Sequence, residues 1–131
     1  MRFDILTLFP EMLAPVMESS ILGRACTAGT LTIAAHNIRD YADNKHKQAD
    51  DYPYGGGAGM VMMAQPVYDC MESVCKGISP RKIMLSPRGQ TLTAAPAQEL
   101  ARESHIVLMG GHYEGVAERL SALFDPFVSI R

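Results

Sequence analysis

Lys82-Ile83-Met84-Leu85-Ser86-Pro87-Arg88-Gly89 and His105-Ile106-Val107-Leu108-Met109-Gly110-Gly111-His112-Tyr113-Glu114-Gly115 are the two stretches that decide how this chain folds. Each opens as a short apolar run of strand length. The first closes on a Ser-Pro-Arg-Gly tight turn, the second on a glycine pair. Short apolar runs of this kind are buried on both faces, which is the pattern of a parallel sheet with helices on either side.

Working outward, the intervening residues repeat the alternation. Thr93 to Glu103 reads as a helix between the two strands, and Glu114 to Phe124 as a helix after the second. Gln65 to Lys76 carries Val67, Cys70, Met71 and Val74 at helical spacing ahead of the first strand. At the amino end, Phe3, Ile5 and Leu8 mark a strand over Arg2 to Leu8. Phe9-Pro10-Glu11 then opens a helix, with Pro10 near its first position and Glu11 in its first turn. Thr30 to Ala35 is a second β-rich run, and Phe127 to Arg131 begins one more strand. The expected fold class is α/β, a parallel sheet flanked by helices.

The polar stretch Asn37 to Gly59 interrupts the alternation. It holds Asp40, Asp43, Lys45, His46, Lys47, Asp50 and Asp51, closes in Tyr54-Gly55-Gly56-Gly57-Ala58-Gly59, and reads as a long functional loop.

The chain has 131 residues, 47% hydrophobic and 20% charged. That is one domain, of a size that buries roughly two-thirds of its unfolded surface, and it excludes the disordered class. Cys26, Cys70 and Cys75 form an odd set with no CxxC pair, so neither a disulfide framework nor a zinc site is indicated and a reduced cytoplasmic setting is expected. No run approaches the roughly 18 apolar residues of a membrane span. A net charge of −2 gives no global attraction for a polyanion, so a nucleic-acid partner has to be held by a local patch.

Taken singly, the chemical signals are weak. The glycine run lets a backbone approach a ligand closely, yet it serves equally as a structural surface loop. It lacks the Gly-Lys-Ser/Thr of a P-loop and the spacing of a dinucleotide fingerprint. The two strand ends lie where open parallel sheets bind ligands, and Tyr113 offers a ring or a hydroxyl, yet both are also ordinary turn chemistry. His112 at a turn is more often solvated than catalytic, and Glu114 suits the first turn of a helix. Asp50 and Asp51 alone make a poor metal set. Arg39, Lys45, His46 and Lys47 form a modest cationic patch usable against phosphates.

Together the segments carry more. Thr7-Leu8-Phe9-Pro10-Glu11-Met12, Ser20-Ile21-Leu22-Gly23-Arg24-Ala25, Arg39-Asp40-Tyr41, Asp43-Asn44-Lys45-His46, the block from Asp50 to Met60, Leu85 to Gly89 and Gly111 to Val116 follow one another in a characteristic order. In that order and spacing the chain resembles the bacterial tRNA (guanine-N1)-methyltransferases along essentially its whole length. The resemblance implies a SPOUT-class α/β fold with a deep trefoil knot, a homodimer, S-adenosyl-L-methionine as methyl donor and a tRNA anticodon loop as partner. The implied reaction is methylation of N1 of the guanine 3′ of the anticodon.

By position, Leu85, Ser86, Pro87, Gly111, Tyr113 and Glu114 resemble the residues shaping the donor pocket, with Ile130 at its edge. Arg24, His46, Asp50, Gly55, Gly56, Gly57 and Gly59 resemble the side facing the guanine and tRNA. The resemblance also implies that residues 1–131 are a truncated donor-binding domain, without the carboxyl-terminal tRNA-binding domain and without the family's catalytic aspartate. No catalytic residue and no metal ligand is expected here, and the fragment alone is expected to be inactive. Ala58, Ala117 and Arg131 depart from the family's usual proline, acidic residue and glycine. A non-catalytic dimerisation or RNA-binding module with a degenerate donor site is the alternative. An enzyme of the same fold acting on ribosomal RNA is a third, against which the Arg39 to Gly59 block speaks.

Overall fold

The computed structural model describes residues 1–42, 50–51, 61–62, 64–110 and 124–129, with 50, 51, 61, 62, 64, 86–88 and 125–129 as backbone alone. In chain order, β1 (Arg2–Thr7) leads into α1 (Pro10–Met17) and α2 (Ser20–Thr27). β2 (Thr32–Asn37) follows, then a 3-10 turn (Ile38–Tyr41) and two short strands, β3 (Asp50–Asp51) and β4 (Val61–Met62). After α3 (Ala64–Val74) come β5 (Arg81–Thr91), α4 (Ala94–Leu100), β6 (His105–Met109) and β7 (Asp125–Ser129).

Five strands form one sheet in the order β2-β1-β6-β5-β7, every neighbouring pair parallel. Side chains alternate between its faces. Leu6, Met84, Val107 and Met109 point to one face and pack with Val67, Cys70 and Met71 of α3 and with Ile38, Ala42 and Phe124. Leu6, Met84, Val107 and Met109 are fully buried, each contributing about 1.5–3 kcal/mol of burial. On the other face Phe3, Ile83, Leu85, Ile106 and Leu108 stand under α4, leaving an apolar cavity of about 290 Å³.

Asp4 is the buried charge among the described side chains of the sheet, 2% exposed. Arg2 donates Nε to Oδ2 at 2.9 Å and Nη2 to Oδ1 at 3.0 Å. His36 Nε2 on β2 meets Oδ1 at 2.7 Å, and His105 Nε2 on β6 meets Oδ2 at 2.5 Å. A carboxylate only accepts, so both ring nitrogens donate. Burial alone would raise the carboxyl's pKa. The hydrogen bonds from Arg2, His36 and His105 outweigh it and bring the group down to about 2. One carboxylate thus ties three adjacent strands together.

The helical segment after β1 is two helices, not one. Ser20, at φ 51°, turns the chain between them, and a Cβ on Gly23 would run into the carbonyl group of Glu18, so the close approach of α2 to the end of α1 requires glycine there. β2 starts two residues later than the sequence indicates. The stretch read as a loop from Asn37 to Gly59 starts with the 3-10 turn, and Asp50–Asp51 pairs antiparallel with Val61–Met62.

The tight turn expected at Ser86 to Gly89 does not end its strand. β5 continues to Thr91, and Leu85 and Gln90 both face Val128 of β7, so the four residues between them are taken up as an irregularity in the ladder. Proline cannot donate to a ladder and is accommodated at bulges, which is why Pro87 permits this without terminating the strand. The helix expected over Glu114 to Phe124 falls, apart from Phe124, outside the described residues.

Candidate functional site

All five strands run the same way, so their carboxyl ends share one edge. β1 feeds β2 on one side, whereas β6 feeds β7 beyond β5 on the other. In such sheets ligands bind in the crevice outside the carboxyl ends of the strands where the strand order reverses, here the ends of β1 and β6.

The geometry of that crevice is set by backbone. Gly110 follows β6 and donates its N–H to the carbonyl of Leu6 at 3.3 Å, carrying the ladder one residue past the strand. Among the described residues, a Cβ on Gly110 would find Leu85 Cδ1 as its nearest neighbour, at 4.0 Å, an ordinary van der Waals contact. Leu85 itself lies between this glycine and the apolar cavity under α4.

Two side-chain turns shape the rest of the edge. Phe9 N donates to Thr7 Oγ1 at 3.1 Å, turning β1 into α1. Arg39 N donates to Asn37 Oδ1 at 2.9 Å, turning β2 into the 3-10 turn. These turns bring the Arg39 guanidinium to 5.7 Å from the centroid of the Phe9 ring. Sequence reasoning placed Phe9 at a helix start and Arg39 in a cationic patch without joining them. The turn-forming residues Thr7 and Asn37, the last of β1 and β2 and each two positions ahead of Phe9 or Arg39, are the signal that was there to use.

Of the residues expected at the donor pocket, Leu85 stands at the edge beside Gly110. Ser86 and Pro87 follow it in the β5 backbone. Gly111, Tyr113, Glu114 and Ile130 lie outside the described residues. On the guanine side, Asp50 is placed by its backbone in β3, and His46, Gly55, Gly56, Gly57 and Gly59 lie outside, as do Lys45, Lys47, His112, Ala58, Ala117 and Arg131.

Arg24 does not join Leu85 and Gly110. It is exposed on α2, where its Nε donates to the carbonyl of Ser20 at 3.4 Å. The chain leaving α2 enters β2 at the amino edge, where Thr30 O accepts from Met1 N at 3.3 Å and Thr32 N donates to Met1 O at 3.0 Å. Helix α2 therefore delivers Arg24 away from the carboxyl edge of its own sheet. Among the described residues no group of three or more His, Cys, Asp or Glu side chains could hold a metal ion, and no helix is long and apolar enough to cross a membrane.

A five-stranded all-parallel sheet carrying helices, with a glycine directly after its central strand β6, defines an α/β domain. The family model described as tRNA (Guanine-1)-methyltransferase TrmD matches residues 1–130, and the chain belongs to that family. A tRNA (guanine-N(1)-)-methyltransferase of Lachnospira eligens is 48% identical over 133 residues, covering 99% of this chain and 56% of the relative. One from Geobacillus kaustophilus is 53% identical over 122 residues, covering 92% and 50%. The crystal structure of tRNA (m1G37) methyltransferase from Aquifex aeolicus superposes with a TM-score of 0.86 at 30% identity, covering 100% of this chain and 60% of that one. The fold is of the SPOUT type expected from the sequence. The chain spans about half the length of the curated relatives it matches.

Proposed function

We propose that residues 1–131 form the S-adenosyl-L-methionine-binding domain of a cytoplasmic, homodimeric tRNA (guanine-N1)-methyltransferase with a trefoil-knotted donor site. The reaction is methyl transfer to N1 of the guanine 3′ of the anticodon. The observation that carries this reading is the meeting of Leu85 and Gly110 at the crevice between diverging strand connections, in a chain of this family.

These residues fit the donor. Leu85 gives an apolar surface for an adenine ring, and the open backbone at Gly110 gives close polar approach without a side chain in the way. Ser86, Pro87, Gly111, Tyr113, Glu114 and Ile130 complete the pocket in this reading. The donor supplies an electrophilic methyl group on a sulfonium, whose in-line transfer depends on alignment rather than on a metal or a covalent nucleophile. This chain's residues bind and orient. His46, Asp50 and the glycines from Gly55 to Gly59 face the guanine, and Arg24, far from the carboxyl edge of its own sheet, serves the tRNA backbone or the partner's site. Met12, Val16 and Ile21, exposed on α1 and α2, support a partner-binding face.

Isothermal titration calorimetry with S-adenosyl-L-methionine tests the reading. Saturable heat at one donor per chain, lost on Leu85→Asp, is expected. No saturable heat would leave the non-catalytic module as the better description.

A further inference from the structure

We propose that Phe9 and Arg39 form a platform for single-stranded RNA, on which an unpaired nucleobase stacks on the Phe9 ring while Arg39 holds an adjoining phosphate. The inference rests on the RNA-methyltransferase reading and names a contact for its substrate outside the donor pocket.

Phe9 is a large aromatic side chain 48% exposed, two residues past the end of β1 and at the N-cap of α1. It is nevertheless held in place. The Thr7 hydroxyl fixes its backbone, the proline that follows starts a helix, and the guanidinium of Arg39 covers the ring at 5.7 Å. An exposed ring fixed on both flanks has lost the freedom that a solvated phenylalanine keeps, so stacking on it costs little further ordering.

Arg39 is fixed in the same way, through its own N–H to Asn37. Its guanidinium presents a planar cation that pairs with phosphate and stacks on aromatic faces. Ring and cation side by side are what sequence-tolerant binding of unpaired strands requires: a π-face for the base and a charge for the backbone. With a net charge of −2, the chain attracts RNA only through such local cations.

The platform also has a fixed relation to the donor crevice. Leu6 O holds the Gly110 N–H, and Thr7-Leu8-Phe9 continue directly from Leu6. Phe9 thus stands three residues along the chain from the strand residue that bonds Gly110, so a base stacked on it belongs to the carboxyl side of the sheet, where a neighbouring nucleotide would enter. The exposed platform suits the splayed bases of a loop rather than a duplex.

The test is fluorescence anisotropy and emission of an anticodon stem-loop RNA carrying 2-aminopurine in its loop, titrated with the chain and its variants. Binding with quenching of the 2-aminopurine is expected, because stacking quenches it. Phe9→Leu should weaken binding about tenfold and abolish the quench, with Phe9→Tyr retaining both. Arg39→Ala should lower the slope of log K against log salt by about one. Since Phe9 is half exposed, Phe9→Leu should melt near the parent, and the salt slope of Arg39→Ala reads the phosphate contact independently.

Equal affinity and quenching in Phe9→Leu overturn the proposal, as does the absence of RNA binding by the parent chain. A change in sedimenting mass for Phe9→Leu with unaltered RNA affinity also overturns it, making the ring a contact between protein copies. Donor heat measured on the parent separates the two readings: stacking without donor heat sinks the methyl-donor reading alone, and donor heat without stacking sinks this one alone.

Discussion

Leu85, in the middle of β5, and Gly110, just past the end of β6, face each other, with Leu85 Cδ1 4.0 Å from where a Cβ on Gly110 would stand. Since Gly110 also bonds Leu6, the carboxyl ends of β6 and β1 are knit beside the middle of β5 at a single point. A glycine stands there, with no Cβ of its own. That is the physical basis for treating the point as a ligand rim rather than as a strand end.

Gly110→Ala separates packing from recognition. Its methyl would sit in ordinary contact with Leu85, so folding stability should change by less than about 1 kcal/mol in urea denaturation. Donor affinity should nevertheless fall about tenfold in calorimetry, the size of a lost close approach of about 1.4 kcal/mol. Unchanged affinity would show that ligand does not approach this backbone.

The parallel sheet was legible because Ile83-Met84-Leu85 and Ile106-Val107-Leu108 are apolar on both faces, a pattern that antiparallel or amphipathic elements do not share. The continuation of β5 past Pro87 was not, because the pairing of Leu85 and Gln90 with the same Val128 is a long-range choice that local turn chemistry does not encode. Asp4 was passed over for a similar reason. A single acid between Phe3 and Ile5 acquires its meaning only when His36 and His105 arrive from two other strands. At the site, Leu85 was singled out as a strand end that the structure shows to be mid-strand, whereas the Arg39 contact with Phe9 depends on two turns meeting in space.

Gly23→Ala should show how closely α1 and α2 are joined. The new Cβ would overlap the backbone carbonyl of Glu18, which a side-chain rotation cannot relieve, so the helices must separate. A loss of about 1–3 kcal/mol is expected from such overpacking. Thermal melts against the parent chain measure it, and an unaltered melting temperature would mean the joint is looser than the structure shows.

Cysteine chemistry should be uneven. Burial, followed by the charges of Asp40 and Cys75, pushes the Cys70 thiol up to about 12, so almost no thiolate exists at pH 8. Cys75 is shifted upward too, again chiefly by burial. Brief alkylation with iodoacetamide followed by mass spectrometry should leave Cys70 unmodified until denaturant is added, whereas rapid native labelling of Cys70 would contradict its burial on the sheet-facing side of α3.

Acid should weaken this fold through Asp4. Its carboxyl titrates at 3.8 when unperturbed and at about 2 in the folded chain, so the folded state holds the ionised form more strongly than the unfolded state does. The resulting stabilisation, about 2 kcal/mol for a shift of this size, is complete above pH 4 and disappears as pH falls toward 2. Asp4→Asn removes the titrating group and places an amide donor among Arg2, His36 and His105, which also donate. At pH 7 that variant should lose about 3 kcal/mol, the cost of breaking one side of a buried charge cluster. Between pH 4 and 2 its stability should fall less steeply than that of the parent, because the carboxyl responsible for the slope is gone. Urea titrations of both proteins across that window decide the point. An identical acid slope in the two would mean that Asp4 is not the carboxylate whose protonation unties β2, β1 and β6.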